Sequence, residues 1–371
     1  MIIIGAGPAG CSAAINVNIG KRLAIIDSVD NVEFKIGESL PPASKRLFQT
    51  MGLWEEFLLQ GHLPCYGNRA VWDSEEFEET DFIKDIDGNG WHIDRAQFEN
   101  WLRGKVKQQD NVFYAPARFV AAKFINECWQ LDIEINQKIT TLKTKCVIDA
   151  TGRNAAFARH IKIPRQHLDK MVCTWVKGRE IPQQADAGFS VIHAVKEGWW
   201  YSAAIPDNQR ILSFHTEAKL DGTKKFKSTK EQLQAAQKIP KLADILQRCH
   251  FRDNLTWGYT AAHSAKISEY SGQSWLAIGD AAMCMDPISS QGMFNGLYTG
   301  LLAAQETLQF LDNKINNFDH YNARLDNIWN AYLSHLKYYY GAPSQWRNSE
   351  FWVLKSQQHK PEDGEGVTDS V

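Results

Sequence analysis

A glycine-rich turn lies at the start of this 371-residue chain, between two short apolar runs. Residues 1–14 read MIIIGAGPAGCSAA, with G-x-G-x-x-G at Gly5, Gly7 and Gly10. A second apolar run ends at Asp27. This order of strand, turn, helix, strand and acid is typical of dinucleotide binding, with the helix N-terminus facing the pyrophosphate and the acid meeting a ribose. We predict such a βαβ unit, and an ordinary glycine turn is the alternative.

Two later segments have a similar design. Residues 146–153 read CVIDATGR, a strand-like run followed by a turn. Residues 279–293 read GDAAMCMDPISSQGM and lie between a strand-like run and a long segment of small and apolar residues. Glycine, aspartate, proline and serine in one such turn suit a backbone that passes close to a polar or anionic group.

Composition excludes several classes of protein. The formal net charge is -2, and no basic run or zinc-finger spacing occurs, so we expect no nucleic-acid partner. The seven cysteines form no C-x-x-C and are odd in number, which argues against a disulfide framework or a metal site and predicts a reducing, cytoplasmic location. The sequence shows no signal peptide and no apolar run of about 20 residues, so we expect no transmembrane segment.

The segments GAGPAG, DATGR and GDAAMCMDPISSQGM resemble those of FAD-dependent monooxygenases of the aromatic-hydroxylase class. Within that class, the similarity is greater to flavin-dependent tryptophan halogenases and geranylgeranyl reductases. The segments IGESLPP (36–42), WHIDRAQFENWL (91–102) and YYYGAPSQWRNSEFW (338–352) add to this resemblance. It implies FAD as cofactor and an α/β fold, in which a Rossmann-type domain like that of glutathione reductase carries an inserted antiparallel β-sheet substrate domain and C-terminal helices.

The expected domains are discontinuous along the chain. The FAD-binding domain is expected at 1–64, 91–164 and 256–310, and the substrate domain at 65–90 and 165–255. A C-terminal helical region at 311–355 precedes a polar segment, 356–371, that we expect to be disordered. Short β-rich runs predict one antiparallel substrate sheet. Helices are predicted at 226–249 and 315–340.

The resemblance also implies which residues hold the cofactor. Asp280 would contact the ribityl chain or the pyrophosphate region, and Pro287 would lie beside the isoalloxazine ring. Backbone N–H groups at a helix N-terminus would face the pyrimidine edge. For Arg95, a surface charge on a helix is the alternative. The implied cofactor-binding set is Gly5, Gly7, Pro8, Ala9, Gly10, Asp27, Ser28, Ser39, Arg95, Phe119, Asp280, Pro287, Gln291, Gly292 and Met293.

Two features of the halogenase pattern are missing. Halogenases resembling this chain carry a lysine some tens of residues after the loop that IGESLPP matches, but no lysine lies between Lys45 and Lys84. They also carry W-x-W-x-I-P, whereas residues 198–206 read GWWYSAAIP, with Tyr201 and Ala203 at the two tryptophan positions. We therefore expect no halogenation.

Hydroxylation of an aromatic substrate is the function that this pattern favours. One halogenase-like branch without the lysine hydroxylates a tryptophan side chain in another protein, during maturation of tryptophylquinone cofactors. We expect a related activity on a quinoprotein precursor. The catalytic candidates are Pro287 beside the flavin, Trp200 and Tyr201 as stacking residues, and His193 as a base. His92 is a second candidate for the base.

Other functions stay open at this point. The chain could hydroxylate a small aromatic molecule, act as a geranylgeranyl-reductase-like oxidoreductase, or bind flavin as a non-catalytic partner protein. Aromatic and polar residues in the expected sheet suit an aromatic substrate better than a long apolar one. No second G-x-G-x-x-G follows a strand, so we expect an external electron donor, either NADPH or a flavin reductase.

Overall fold

The computed structural model describes residues 1–17, 20–109, 111–181, 188–220, 226–251 and 253–358. Its helices are separated in places by runs of consecutive strands, and the described strands form five sheets. The α-helices are Pro8–Asn16, Ser44–Thr50, Trp54–Leu58, Arg95–Lys107, Ala156–His160, Thr229–Gln237, Pro240–Arg248, Gly292–Leu311, Asp319–Gly341 and Glu350–Gln358.

A parallel sheet forms the centre of the nucleotide-binding half. Its short strands are almost wholly apolar, as expected where both faces of a sheet are covered. The carboxyl ends of neighbouring parallel strands meet at one edge, which brings Gly5, Asp27 and Ala150 together there. In spatial order the strands are Ser271–Gly272, Trp275–Ala277, Val147–Asp149, Ile2–Ile4, Ala24–Ile26 and Val112–Tyr114, of which the first is antiparallel to its neighbour.

A seven-stranded sheet lies over that edge. Its strand order is Asp253–Ala261, Met171–Arg179, Gln209–Glu217, Gly198–Ile205, Phe189–Val195, Gly67–Val71 and Glu78–Asp81. The prediction of a purely antiparallel sheet needs one correction, because Phe189–Val195 and Gly67–Val71 run parallel. A second correction concerns 256–261, which were expected in the FAD-binding segment. They pair with Met171–Arg179 and belong to this sheet.

The other strands form three small sheets. One is a meander, and one joins the segment around Ser39 to the seven-stranded sheet, because His92 pairs with Ser39 and contacts Ser190 through its side chain. The strands are Arg118–Ile125, Cys128–Ile135 and Lys138–Thr144; Ser39–Leu40, Gly90–His92 and Leu63–Cys65; and Arg165–His167, Ala265–Ile267 and Met283–Cys284.

The seven-stranded sheet separates two environments. Side chains alternate between the faces of a strand, so Trp199 and Tyr201 point to one side and Trp200 to the other. The far side packs on two helices, where a single helix was predicted over 226–249. Pro240 divides that segment and occupies the start of the second helix, where its missing N–H is harmless.

Two helices pack closely behind the parallel sheet. Ser12, on Pro8–Asn16, donates a hydrogen bond from its hydroxyl to the carbonyl oxygen of Leu297 at 2.7 Å. A Cβ placed on Gly300 would come within 3.0 Å of the Ala9 carbonyl oxygen, closer than real Cβ atoms lie. This contact brings the N-termini of both helices to the same edge.

The C-terminal helices complete the core. The long helix predicted at 315–340 is Asp319–Gly341, and the following Glu350–Gln358 buries Phe351 and Trp352. Of the segment predicted to be disordered, 356–358 are helical and 359–371 lie outside the described residues. In the described ranges, no helix has the length and apolar character needed to cross a membrane.

The helix contact leads to a stability prediction. Gly300→Ala should lower the free energy of unfolding by about 1–3 kcal/mol, because the added methyl group has no room against Ala9 and Ser12. Gly104→Ala is the matched control. A Cβ there meets nothing within 4 Å inside a helix, so this change should stabilise by about 0.5–1 kcal/mol. Urea denaturation measures both, and equal effects would contradict the close packing.

Candidate active site

A cavity of about 830 Å³ lies between the edge of the parallel sheet and the near face of the seven-stranded sheet. Gly7 and Asp27 line it from the parallel sheet, and we call this part the nucleotide end. Tyr201, Ser213 and His215 line it from the other sheet, and we call that part the sheet end.

Glycines shape the nucleotide end in two ways. Gly5 has φ +105°, and a Cβ on Gly5 or on Gly10 would overlap backbone atoms, so both residues are needed for packing. A Cβ on Gly7 or Gly292 would meet nothing within 4 Å, although both residues line the cavity. Each stands at the start of a helix, where unpaired N–H groups attract an anion. The free space at these positions therefore suits a phosphorylated ligand.

Asp27 is held in place by several donors. Its Oδ2 accepts the Ala6 N–H at 2.6 Å and lies 3.0 Å from an Arg103 nitrogen, while Oδ1 accepts the Val29 N–H at 2.9 Å. A carboxylate has about four acceptor sites, so a ribose hydroxyl can still bind. The sequence did not lead us to Arg103. It lies eight residues after Arg95 in the same helix, and therefore on nearly the same face.

Arg95 lines the cavity and is not a free surface charge. Its Nε lies 2.7 Å from the buried Glu99 Oε1, and Lys35 approaches the other oxygen of Glu99 at 2.7 Å. Arg95 also donates to the Gly37 carbonyl oxygen at 3.5 Å. Arg95 thereby supports the loop 35–39, which forms part of the cavity wall.

Arg153 and Asp280 both line the cavity and form an ion pair with each other. Arg153 Nε lies 3.5 Å from Asp280 Oδ2, and its guanidinium also donates to the His263 carbonyl oxygen at 2.6 Å. Arg153 is the last residue of the DATGR segment, which predicted no role for it. Arg153 could have been predicted as a ligand-binding residue from its position just after a strand of the parallel sheet, at the edge where ligands bind.

The sheet end is mostly neutral. The Tyr201 hydroxyl lies 2.8 Å from Ser39 Oγ, and burial raises the pKa of Tyr201, so the phenol stays protonated. Trp199 stacks on His215 with ring centres 3.7 Å apart. Burial lowers the pKa of His215 to about 3, so this imidazole is uncharged.

Glu38 is the ionisable exception, and sequence reasoning did not single it out. It lines the cavity, is 6% exposed, and accepts the Gly37 N–H at Oε1 over 2.8 Å. Burial raises the pKa of Glu38 to about 7. The sequence feature that could have identified Glu38 is an acidic residue inside IGESLPP, between two apolar segments.

Two of the residues predicted to be catalytic, Trp200 and His193, do not lie at the cavity. Trp200 packs on Phe214 and Phe226 in the core behind the sheet, and His193 pairs with Trp200 in register on that same face. Neither lines the cavity, because strand alternation turns both away from it. His92 is fully buried beside Ser190, and burial lowers its pKa to about 3, so it is a poor base.

Most residues predicted to hold the cofactor line the cavity. Gly10 packs against Gly5 and does not line the cavity. Gln291 does not line it either, and its N–H donates to Ser289 Oγ at 3.3 Å. The predicted residues that do are Gly5, Gly7, Pro8, Ala9, Asp27, Ser28, Ser39, Arg95, Phe119, Asp280, Pro287, Gly292 and Met293, together with the catalytic candidate Tyr201.

A buried charge cluster borders the cavity next to Pro287. Lys355 Nζ lies 2.9 Å from Asp169 Oδ2 and 3.1 Å from Asp286 Oδ2, and all three side chains are fully buried. The Tyr340 hydroxyl also donates to Asp286, at 2.7 Å. Burial opposes ionisation of Lys355, but the two carboxylates outweigh it and raise the pKa of the ammonium group. The cluster attaches the helix Glu350–Gln358 to the cavity wall.

Comparison with known proteins identifies the family. The family described as "FAD binding domain" matches residues 1–299. The chain belongs to this family. FAD is its cofactor, and the protein is an FAD-dependent oxidoreductase. The open positions at Gly7 and Gly292, both at helix N-termini, fit the pyrophosphate and the polar edge of such a cofactor.

Similar proteins match nearly the whole length of this chain. The FAD-dependent oxidoreductase LodB of Marinomonas mediterranea is 21% identical over 358 residues, covering 95% of each chain. The myxobacterial chondrochloren halogenase CndH superposes with a TM-score of 0.85 at 20% identity, over 95% of this chain and 85% of CndH. The peptidyl tryptophan dihydroxylase QhpG superposes with a TM-score of 0.73 at 19% identity, over 95% of this chain and 77% of QhpG. At these identities, the structural likeness shows the fold.

The contrast between the glycines gives a prediction on FAD binding. Gly7→Val should fold but lose bound FAD, since its side chain would fill space that the protein leaves open. Gly10→Val is the comparison, and it should fail to fold because its Cβ overlaps the Gly5 carbonyl oxygen. Circular dichroism reports folding, and flavin absorbance after denaturation reports FAD content. Stoichiometric FAD in Gly7→Val would contradict the assignment.

The charge cluster gives a prediction on stability. Lys355→Met should lower the free energy of unfolding by about 3–5 kcal/mol near neutral pH, because it leaves buried carboxylates without a cation. The loss should shrink at low pH, where protonation removes the unpaired charge. Lys337→Met, an exposed change on the preceding helix, is the control. Equal stability of the two variants in urea would show that the cluster carries little energy.

Proposed function

We propose that this flavoprotein hydroxylates an electron-rich aromatic ring, and that the ring is a tryptophan side chain of a partner protein. The observation that carries the proposal is the chemistry of the sheet end. Neutral hydroxyl and aromatic groups line it, namely Tyr201, Ser213 and the stacked pair Trp199–His215, with Glu38 as the acid beside them. An aromatic substrate finds ring contacts and hydrogen-bond partners there.

FAD would bind across both ends of the cavity. Gly7 and the start of Pro8–Asn16 would hold the pyrophosphate, and Asp27 the adenosine ribose. Asp280 and Arg153 would contact the middle of the cofactor. Gly292 and Met293 would offer backbone N–H groups to the flavin, with Pro287 beside the ring.

When bound and reduced, FAD would supply the electrons with which O₂ gives one oxygen atom to the ring and the other to water. The task of the protein is to exclude water and to orient the ring. The burial of Tyr201 and its hydrogen bond to Ser39 provide a fixed donor and acceptor at the sheet end. The electrons would come from NADPH or a flavin reductase.

The comparisons support the choice of a protein-bound tryptophan. QhpG is described as essential for tryptophylquinone cofactor biogenesis, and its fold covers 95% of this chain. LodB matches this chain over 95% of its own length. A quinoprotein precursor is therefore the partner that we propose, in the cytoplasm, as the cysteine pattern predicts.

Halogenation is less well supported, although halogenases share the fold. The only lysine among the described residues that line the cavity is Lys35, and it pairs with Glu99. Tyr201, at the first of the two tryptophan positions, places a hydroxyl at the sheet end. Chloride or bromide supplied with tryptophan and reduced FAD should therefore yield no halogenated product, and halotryptophan formed over many turnovers would overturn this view.

Co-expression with a tryptophylquinone precursor tests the proposal. Mass spectrometry of the precursor should show the addition of one or two oxygen atoms at tryptophan. Co-expression with Gly7→Val should leave the precursor unmodified, because that variant lacks FAD. An unmodified precursor, together with efficient turnover of free indole or phenol, would instead support a small-molecule hydroxylase.

A further inference from the structure

A carboxyl group faces the cavity beside the residues proposed to bind the ring. Glu38 lies in the loop between Lys35 and the strand Ser39–Leu40, and its neighbours across the cavity include Cys173 and Tyr201. Oε1 accepts the Gly37 N–H. The Glu38 backbone N–H also hydrogen-bonds this carboxyl group, and no side-chain hydrogen bond or ion pair to it occurs among the described residues. A carboxylate has about four acceptor sites, so it can still accept a hydrogen bond from a ligand.

Charged and titratable groups surround Glu38 on several elements. Arg95, on the helix behind the loop, and Lys177, on the seven-stranded sheet, favour its ionised form. Cys173 and Tyr201 face it from the sheet, and burial raises the pKa of both, so they stay protonated and neutral. Because Tyr201 and Cys173 already carry their protons near neutral pH, neither can act as a base there. Glu38 is the carboxylate among them that can accept a proton there.

The loop that carries Glu38 is held in a defined conformation. Gly37 has φ +107°, a region that favours glycine, and Arg95 donates to its carbonyl oxygen. The Glu38 carbonyl oxygen accepts the Ile93 N–H at 2.8 Å. The carboxyl is thereby fixed toward the sheet end, as a positioned acid or base must be.

We propose that Glu38 is the general base of the hydroxylation, and that its Oε2 accepts the indole N–H proton of the substrate ring. This inference rests on the proposed function, because it assigns a residue to that reaction. As the N–H bond releases its electron pair into the ring, a ring carbon forms the new C–O bond with one atom of O₂. The other oxygen atom leaves as water with two protons, and reduced FAD supplies the two electrons. The proton on the attacked ring carbon then leaves to solvent, and Glu38 returns its proton to the ring nitrogen, which restores the aromatic indole.

The pKa of Glu38 supports its role as a base. Burial raises its pKa to about 7, and a base is most effective when its pKa lies near the working pH. Because the ionised form is the active one, the reaction should gain rate as pH rises through about 7 and lose it below.

A direct test measures the protonation of the Glu38 carboxyl group in the FAD-loaded protein, in the absence of turnover. Infrared difference spectra collected over a pH series should show one protonated-carboxyl band that titrates near pH 7 and is absent from Glu38→Gln. Added indole should move the midpoint to lower pH, because its N–H would stabilise the carboxylate. N-methylindole is the matched ligand, and it should not move the midpoint. The proposal is overturned if Glu38→Gln removes no titrating band, or if the two ligands act alike.

Kinetics separate a failure of this proposal from a failure of the proposed function. With a precursor that the parent protein hydroxylates, Glu38→Gln should keep its FAD, react about 100-fold or more slowly, and lose the rise with pH. Glu33→Gln, an exposed change in the same loop region, should behave like the parent protein. An unchanged rate and pH profile in Glu38→Gln would rule out the base while leaving hydroxylation intact. A parent protein that hydroxylates no aromatic ring would refute the function, whatever the infrared result.

Discussion

The contact between the helices Pro8–Asn16 and Gly292–Leu311 underlies the arrangement of the site. Small residues allow the two helices to approach until Gly300 lies against the Ala9 backbone. Each helix begins at the cavity, so their N-terminal N–H groups act on one ligand from two directions. Segments that are almost 300 residues apart in the sequence thereby form one binding surface, which a wider spacing of the helices would divide.

Charge is distributed unevenly around this surface. Acidic and basic side chains such as Arg95, Arg153 and Asp280 lie on loops and helix starts at the nucleotide end. The near face of the seven-stranded sheet offers rings and hydroxyl groups, and its histidine is neutral. A charged cofactor and an uncharged ring can therefore occupy one cavity without either being placed in an unfavourable environment.

Local patterns were sufficient to predict much of this organisation. Glycine spacing and the acid at Asp27 depend on short-range geometry, and they predicted the βαβ unit and its ligand. Strand alternation could also have excluded Trp200, because Tyr201 and Trp200 cannot share a face. The cluster of Lys355 with Asp169 and Asp286 had no such signal, since its members are far apart in the sequence. The pKa of Glu38 likewise depends on burial by elements that no local pattern brings together.

Lys355 lies near the end of the described chain, whereas its partner Asp286 lies in the cavity wall beside Pro287. On the ribosome, every strand and helix of the nucleotide-binding half is therefore synthesised before the cation that neutralises this wall. Until Lys355 has emerged and docked, Asp286 and Asp169 must keep their protons or stay in contact with water. The cavity wall beside Pro287 is thus completed only after the strands and helices of the nucleotide-binding half have been synthesised, when the helix Glu350–Gln358 docks on it.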